Sequence, residues 1–114
     1  MLEKQHRNLS SEEIAELFKN PHTKSSNSTL RIHTITASEK MKSQFVVIVS
    51  RKVHKSAVKR NMIRRQLYSV LSRMFSQWTS GLRVAILVKP SFLKLSRTQR
   101  LKTFLDLLHD DGLI

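Results

Sequence analysis

The sequence contains no cysteine. Disulfides and thiolate zinc sites are therefore excluded, and a reducing cytosol is compatible with the chain. No apolar run approaches the ~20 residues that a membrane-spanning helix needs. The first ten residues also lack the apolar core of a signal peptide. These absences lead us to expect a cytoplasmic protein.

Carboxylates are missing from the whole stretch between Lys40 and Leu105, although sixteen of the 21 Lys and Arg residues lie there. The formal net charge of the chain is +13. A folded domain with such a field repels itself unless a polyanion neutralises it. Nucleic acid is therefore the leading candidate partner, and an anionic membrane surface is the second.

The sequence also lacks a recognisable catalytic or metal-binding constellation. None of the five histidines has the spacing of a metal site, and the basic region contains no pair of carboxylates. A protein nuclease would usually show one of these arrangements. We therefore predict no catalytic residue and no metal ligand in this chain.

A length of 114 residues predicts a single domain over residues 1–114, with residues 1–9 flexible. The pattern predicts a helix from the Ser10–Glu13 capping box to Lys19, a loop at 22–28, strands at 29–36 and 45–49, a helix at 57–78, a strand at 83–89 and a helix after the Ser96–Gln99 capping box. The apolar runs at 45–49 and 84–88 predict strands covered on both faces. The predicted class is α+β, in the order α-β-β-α-β-α, with a sheet packed by helices. The two buried strands should be parallel neighbours, with the right-handed crossover of ~98% of such units.

The densest basic stretch runs from Arg51 to Arg65, where seven of fifteen residues are Lys or Arg and none is acidic. Ser56 is the predicted N-cap of the helix that begins inside this stretch. Cations in a first helical turn oppose the macrodipole, and a bound phosphate would reverse that penalty. The alternative is a solvated basic face without a specific ligand.

The core-facing line of this helix also becomes cationic, because Leu71 and Leu67 are followed, towards the N-terminus, by Arg64 and Arg60. A helix does not usually bury bare guanidinium groups. We therefore expect the first turns to project beyond the sheet or to line a groove that an anion enters. The basic side chains of this stretch are therefore candidates for holding phosphates at a fixed place on the domain.

The segment 50–65 resembles the signature of the bacterial ribonuclease P protein subunit. That family carries Ser-x-Lys-Val-Gly-x-Ala-Val-x-Arg-Asn-Arg-x-Lys-Arg at the start of a long helix, after an apolar strand. The matching residues are Lys52, Val53, Ala57, Val58, Arg60, Asn61 and Arg65. Weaker similarity extends to the N-terminal helix and to the strand that ends at Lys89-Pro90. The sequence departs from the family pattern at Met62, His54 and Ile14, which replace an Arg, a Gly and an aromatic residue.

The resemblance implies an accessory subunit rather than a catalyst. In this family a large catalytic RNA, with Mg²⁺ held mainly by the RNA, cleaves the 5′ leader from precursor tRNA. Carried over by position, the signature implies contacts with that RNA, and the predicted RNA-binding residues are Arg51, Lys52, Lys55, Lys59, Arg60, Asn61, Arg64 and Arg65. A groove between the N-terminal helix and the sheet would receive the single-stranded leader, and its predicted lining residues are Phe18, Ile14 and Phe45. The resemblance also implies a left-handed crossover in place of the right-handed default.

Two other classes of protein fit the same residues. One is another basic RNA-binding protein, such as a ribosomal protein, with no role in cleavage. The other is a peripheral membrane protein that uses Phe75 and Trp78 beside basic residues. Leader removal at low Mg²⁺ would separate the accessory subunit from the other RNA-binding protein, and liposome flotation would test the membrane protein. The sequence leaves the oligomeric state open.

Overall fold

The computed structural model describes residues 11–19, 23–36, 43–73 and 81–110. Its elements are α1 (Ser11–Lys19), β1 (Thr23–Ser26), β2 (Leu30–Thr36), β3 (Gln44–Ile48), α2 (Ala57–Arg73), β4 (Leu82–Val88), a 3₁₀ helix (Pro90–Lys94) and α3 (Arg97–Asp110). The α+β class and the predicted order of helices and strands are confirmed, with one short strand added. The predictions for residues 1–9 and for the helix beyond Arg73 fall outside the described residues.

The added strand is β1, so the predicted loop at 22–28 is wrong for four of its residues. This strand pairs antiparallel with β2, and Ser26 lies opposite Arg31. Its sequence, TKSS, is polar and has no apolar alternation, so no pattern marked it as a strand. This strand therefore forms through pairing with β2 and could not be predicted from its local sequence.

The turn between β1 and β2 depends on Asn27. Its Oδ1 accepts hydrogen bonds from the backbone N–H of Thr29 and of Leu30, both at 2.8 Å. The Thr29 hydroxyl donates to the same oxygen at 2.8 Å. Asn27 Nδ2 donates to Thr103 Oγ1 at 3.1 Å. One amide side chain thus closes the hairpin and ties it to α3.

The strand order in the sheet is β1-β2-β4-β3. β2 pairs antiparallel with β1 and with β4, whereas β3 and β4 are parallel. The predicted parallel pair joined by a helix is therefore confirmed. The left-handed sense of that crossover stays a prediction.

Side chains alternate between the two faces of the sheet, and the first face carries the main core. The strand residues on this face pack against α2 and α3. The buried side chains of this core include Leu30, Ile32, Phe45, Val47, Val84 and Ile86 from the strands, Ile63, Leu67 and Leu71 from α2, and Phe104 and Leu108 from α3. This core fixes α2 against the sheet.

The second face is covered less completely, because α1 has only nine residues. Leu17 is fully buried against Ile35 and Ala85. Val46, Ile48 and Leu87, which alternate with the core residues, are only partly buried. The prediction that residues 45–49 are covered on both faces is therefore wrong, since β3 is an edge strand that α1 does not enclose.

Hydrogen bonds confirm the predicted starts of α2 and α3, whereas Ser10 of the Ser10–Glu13 capping box lies outside the described residues. Ser56 Oγ accepts from Lys59 N at 3.4 Å, and the Ser56 carbonyl accepts from Arg60 N at 3.1 Å. The Ser96–Gln99 capping box is reciprocal, with Gln99 N donating to Ser96 Oγ at 3.2 Å and Ser96 N donating to Gln99 Oε1 at 3.0 Å. Both helices therefore begin where local sequence chemistry places them.

We expect Asn27→Ala to lower the free energy of unfolding by about 2–3 kcal/mol, since several partly buried donors lose their acceptor. Asn27→Asp is the matched control, because a carboxylate keeps the accepting oxygen and loses only the donation to Thr103. Urea unfolding of both variants gives the measurement. Equal stability of Asn27→Ala and the unsubstituted protein would contradict this role.

Candidate nucleic-acid interface

The basic segment begins in a tight turn that the core anchors. Val53 N donates to the Ser50 carbonyl at 3.0 Å, and the Val53 side chain belongs to the main core. Arg51 and Lys52 are the two central residues of this turn, and both are exposed. The turn therefore projects two cations into solvent from a fixed base.

His54 occupies the position where the resemblance led us to expect glycine. Its Nδ1 accepts a hydrogen bond from Ser56 N at 3.0 Å. Among the described residues, only Gly81 has a positive φ. The backbone at His54 therefore does not need glycine, and the imidazole stabilises the connection to α2.

The predicted RNA-binding residues are all described, and each has exposed surface. Six are exposed, whereas Arg60 and Arg64 are partly buried. Arg64 Nη2 donates to Asn61 Oδ1 one turn earlier. We call the eight residues the basic surface: Arg51, Lys52, Lys55, Lys59, Arg60, Asn61, Arg64 and Arg65.

Arg60 is the member whose environment is hardest to explain by folding alone. It is partly buried on the core-facing line of α2, one turn before buried Ile63 and two turns before Leu67. Its Nε is buried and has no hydrogen-bond acceptor among the described residues. Leaving a buried donor unsatisfied costs roughly 1–3 kcal/mol, and more for a charged group. The position therefore opposes stability in the isolated chain.

The basic surface wraps around the start of α2 instead of following one stripe. With ~3.6 residues per turn, Asn61 and Arg65 share a flank with Tyr68, and Tyr68 Oη accepts from Val47 N at 3.0 Å. That flank lies beside the edge strand β3. Lys59 lies on the other flank with Gln66, which lines a cleft facing α3. An RNA bound here would meet cations from more than one direction.

A second surface forms where α1 meets the sheet, and polar contacts hold α1 in place. Glu13 Oε2 and Arg83 Nε lie 2.9 Å apart, with both side chains about a quarter exposed. His33 Nδ1 donates to the Leu17 carbonyl at 3.1 Å. Because a carbonyl oxygen only accepts, Nδ1 of this buried histidine carries a proton. These contacts fix the position of Phe18 next to Leu17.

Phe18 is 40% exposed, and its ring lies 5.4 Å from the His33 ring in an edge-to-face arrangement. Ile14 is partly buried on the same helix. Beside α1, the open part of the second face offers further apolar and cationic side chains. We call this set the α1–sheet surface: Ile14, Phe18, Lys24, Arg31, Val46, Ile48 and Leu87.

The prediction that Phe45 lines this surface is wrong. Phe45 is only 1% exposed and packs in the main core on the first face. Its neighbour Val46 points to the second face, because successive strand residues alternate. Val46, Ile48 and Leu87 were not among the predicted lining residues. The period-two pattern contained that signal, but only the register shows which face α1 covers.

No group of His, Asp and Glu residues that could hold a metal ion occurs within the described ranges. No helix in the part of the chain that the structure describes is long and apolar enough to cross a membrane.

A family model described as Ribonuclease P matches residues 2–110 of this chain. The chain belongs to the ribonuclease P protein family. A relative from Synechococcus elongatus, named ribonuclease P protein component, is 40% identical over 67 residues, which is 58% of this chain and 55% of that protein. The matched segment thus spans little more than half the length of this curated relative.

Solved ribonuclease P proteins share the fold. A Staphylococcus aureus RNase P protein mutant with defective mRNA degradation activity superimposes with a TM-score of 0.88 at 17% identity, covering 97% of this chain and 92% of that chain. The Thermotoga maritima RNase P protein gives a TM-score of 0.75 at 18% identity, covering 90% and 94%. At such identities the likeness shows the fold alone.

We expect Lys59→Gln to raise the free energy of unfolding by ~0.3–1 kcal/mol at low ionic strength, because Lys59 opposes the macrodipole in the first turn of α2. Arg65→Gln is the matched control, since it removes an exposed cation from the same helix beyond the first turn. Thermal unfolding at low and high salt measures both. A Lys59→Gln protein no more stable than the Arg65→Gln protein would argue against a helix-end penalty.

Proposed function

We propose that this chain is the RNA-binding protein subunit of a ribonuclease P. In this role it binds the catalytic RNA through the basic surface and holds the single-stranded 5′ leader of precursor tRNA on the α1–sheet surface. The RNA performs the endonucleolytic cleavage, and the protein contributes binding and positioning. This role assigns no catalytic residue to the chain.

The observation that carries the proposal is the state of Arg60. A partly buried guanidinium at a helix start, with an enclosed Nε that lacks an acceptor among the described residues, is costly in an isolated protein. A phosphate nearby would offset that cost by pairing with the rest of the guanidinium and with the first-turn N–H groups. The surrounding cations extend the same attraction over a larger polyanion.

The α1–sheet surface suits an unpaired strand rather than a duplex. Bases stack on aromatic rings without regard to sequence, and Phe18 exposes 40% of its surface. Val46, Ile48 and Leu87 provide an apolar floor, while Lys24 and Arg31 are exposed on the same sheet face. This combination supports binding of a leader of varied sequence.

Mg²⁺ belongs to the RNA in this proposal. The described residues supply no cluster of carboxylates and histidines that fits the ion, and Glu13 is paired with Arg83. The chain would act in the cytoplasm with the catalytic RNA and precursor tRNA as its partners. Its effect on cleavage would come from reducing the repulsion between two RNAs.

Reconstitution tests the function directly. The full chain is mixed with the ribonuclease P catalytic RNA and a precursor tRNA from the same source, at a Mg²⁺ concentration where the RNA alone is slow. Leader removal should then require the chain. Tight binding of the RNA with no gain in cleavage would instead indicate a general RNA-binding protein of the ribosomal type.

We expect Arg60→Ala and Asn61→Ala each to weaken assembly with the catalytic RNA by ~10-fold or more, as loss of a charge-assisted hydrogen bond requires. Lys94→Ala is the matched control, because it removes one exposed positive charge outside the basic surface. Filter binding at fixed salt measures the affinity, and urea unfolding checks the fold. Equal losses in all three variants would count against a specific site.

Phe18→Ala should weaken binding of precursor tRNA to the assembled complex by roughly 5-fold or more, since a base loses its stacking partner. The variant should leave binding of mature tRNA, which has no leader, unchanged. Phe18→Tyr keeps an aromatic ring and is the control that should retain affinity. If Phe18→Ala affects both tRNAs alike, the residue does not bind the leader.

A further inference from the structure

A cleft between α2 and α3 lies outside both surfaces described so far. It encloses about 90 Å³. Since one water needs ~10–15 Å³ of such volume, the cleft has room for roughly six to nine waters. That is space for one planar ring system and not for a duplex.

The floor of this cleft is apolar. Leu67 and Phe92 are buried at its base, and Val70 and Leu101 line its walls. Leu101 is 40% exposed, although it is a large apolar side chain in the second turn of α3. An exposed leucine beside a cavity gains stabilisation when a flat apolar group covers it.

The rim of the cleft is cationic. Arg73 on α2 and Arg97 on α3 are exposed, and the partly buried Arg100 also lines the cleft. The described residues that line the cleft include no carboxylate. Asp106 lines a different groove, together with Lys102. The charge at the rim is therefore complementary to an anion.

Arg100 is held in a fixed orientation. Its Nε donates to the Phe92 carbonyl at 3.3 Å, and its Nη2 donates to the Leu93 carbonyl at 3.1 Å. The capping box at Ser96 and Gln99 fixes the start of α3 beside it. A guanidinium plane that is already ordered loses little freedom when a base stacks on it.

We propose that this cleft binds one unpaired nucleotide of the partner RNA. The base lies against the Arg100 guanidinium, Leu101 and the apolar floor, and the phosphate lies between Arg73 and Arg97. An apolar slot with cations at its rim matches a nucleotide, which joins a flat ring system to an anion. That the partner is RNA rests on the proposed function. Binding of a free nucleotide to the cleft can be measured on the protein alone.

Methyl NMR of the full chain tests the site. Adenosine 5′-monophosphate, adenosine and inorganic phosphate are titrated separately, and the methyl signals of Val70 and Leu101 are followed. The monophosphate should shift both signals in a saturable manner and bind more tightly than either fragment. Absence of a shift, or an equal effect of inorganic phosphate, would overturn the proposal.

The variant Arg73→Ala/Arg97→Ala should weaken nucleotide binding by ~10-fold or more. The control Lys94→Ala/Lys102→Ala removes two exposed positive charges from the same region but none that lines the cleft. It should change the affinity less than ~2-fold if binding depends on contact and not on net charge. Equal losses in both double variants would refute a defined site.

The absence of native cysteine gives a second test on the RNA complex. A photoreactive group on Ser69→Cys, at a position that lines the cleft, should cross-link the catalytic RNA at one position, whereas the same group on Lys102→Cys should not. Assembly measured in parallel separates the two proposals. Intact assembly without a Ser69→Cys cross-link would remove the cleft from the interface and leave the proposed function standing.

Discussion

The parallel pairing of β3 with β4 is the constraint on which the other features depend. Two parallel neighbours cannot be joined by a hairpin, so the chain must leave the sheet and return through a crossover. Here the crossover contains the turn at Ser50–Val53 and the helix α2. The main core holds it through Val53 and Ile63. The basic surface therefore stands on a rigid connection, which favours recognition of a folded RNA over loose attraction to any polyanion.

The same sheet also produces a surface of different chemistry on its other face. Edge position leaves β3 open on the side that a nine-residue α1 cannot cover. Apolar strand residues and Phe18 remain accessible there, whereas cations dominate the start of α2. Phosphate-rich folded RNA suits the cationic surface, and unpaired bases suit the aromatic and apolar one. The division of labour in the proposed complex thus follows from strand alternation.

Sequence predicted the features that depend on neighbours along the chain. The Ser96–Gln99 capping box and the start of α2 at Ser56 are local patterns, and their hydrogen bonds agree with the prediction. Features that depend on pairing partners were not predictable in the same way. β1 has no apolar pattern of its own, and the face to which Phe45 points is decided by its register with β4. The family resemblance predicted a groove beside α1, but it named Phe45 as a lining residue, whereas the neighbouring Val46 faces the open side.

The cations of the basic surface and of the α2–α3 cleft also affect the stability of the folded chain. Arg60 lacks an acceptor for its enclosed Nε among the described residues, and the α2–α3 cleft gathers Arg73, Arg97 and Arg100 without a lining carboxylate. A ligand that binds only the folded state stabilises it by mass action. In the proposed complex, bound RNA would therefore raise the free energy of unfolding of the chain. The chain has a net charge of +13, and in the proposed complex the phosphates of the RNA would neutralise the repulsion between its cations.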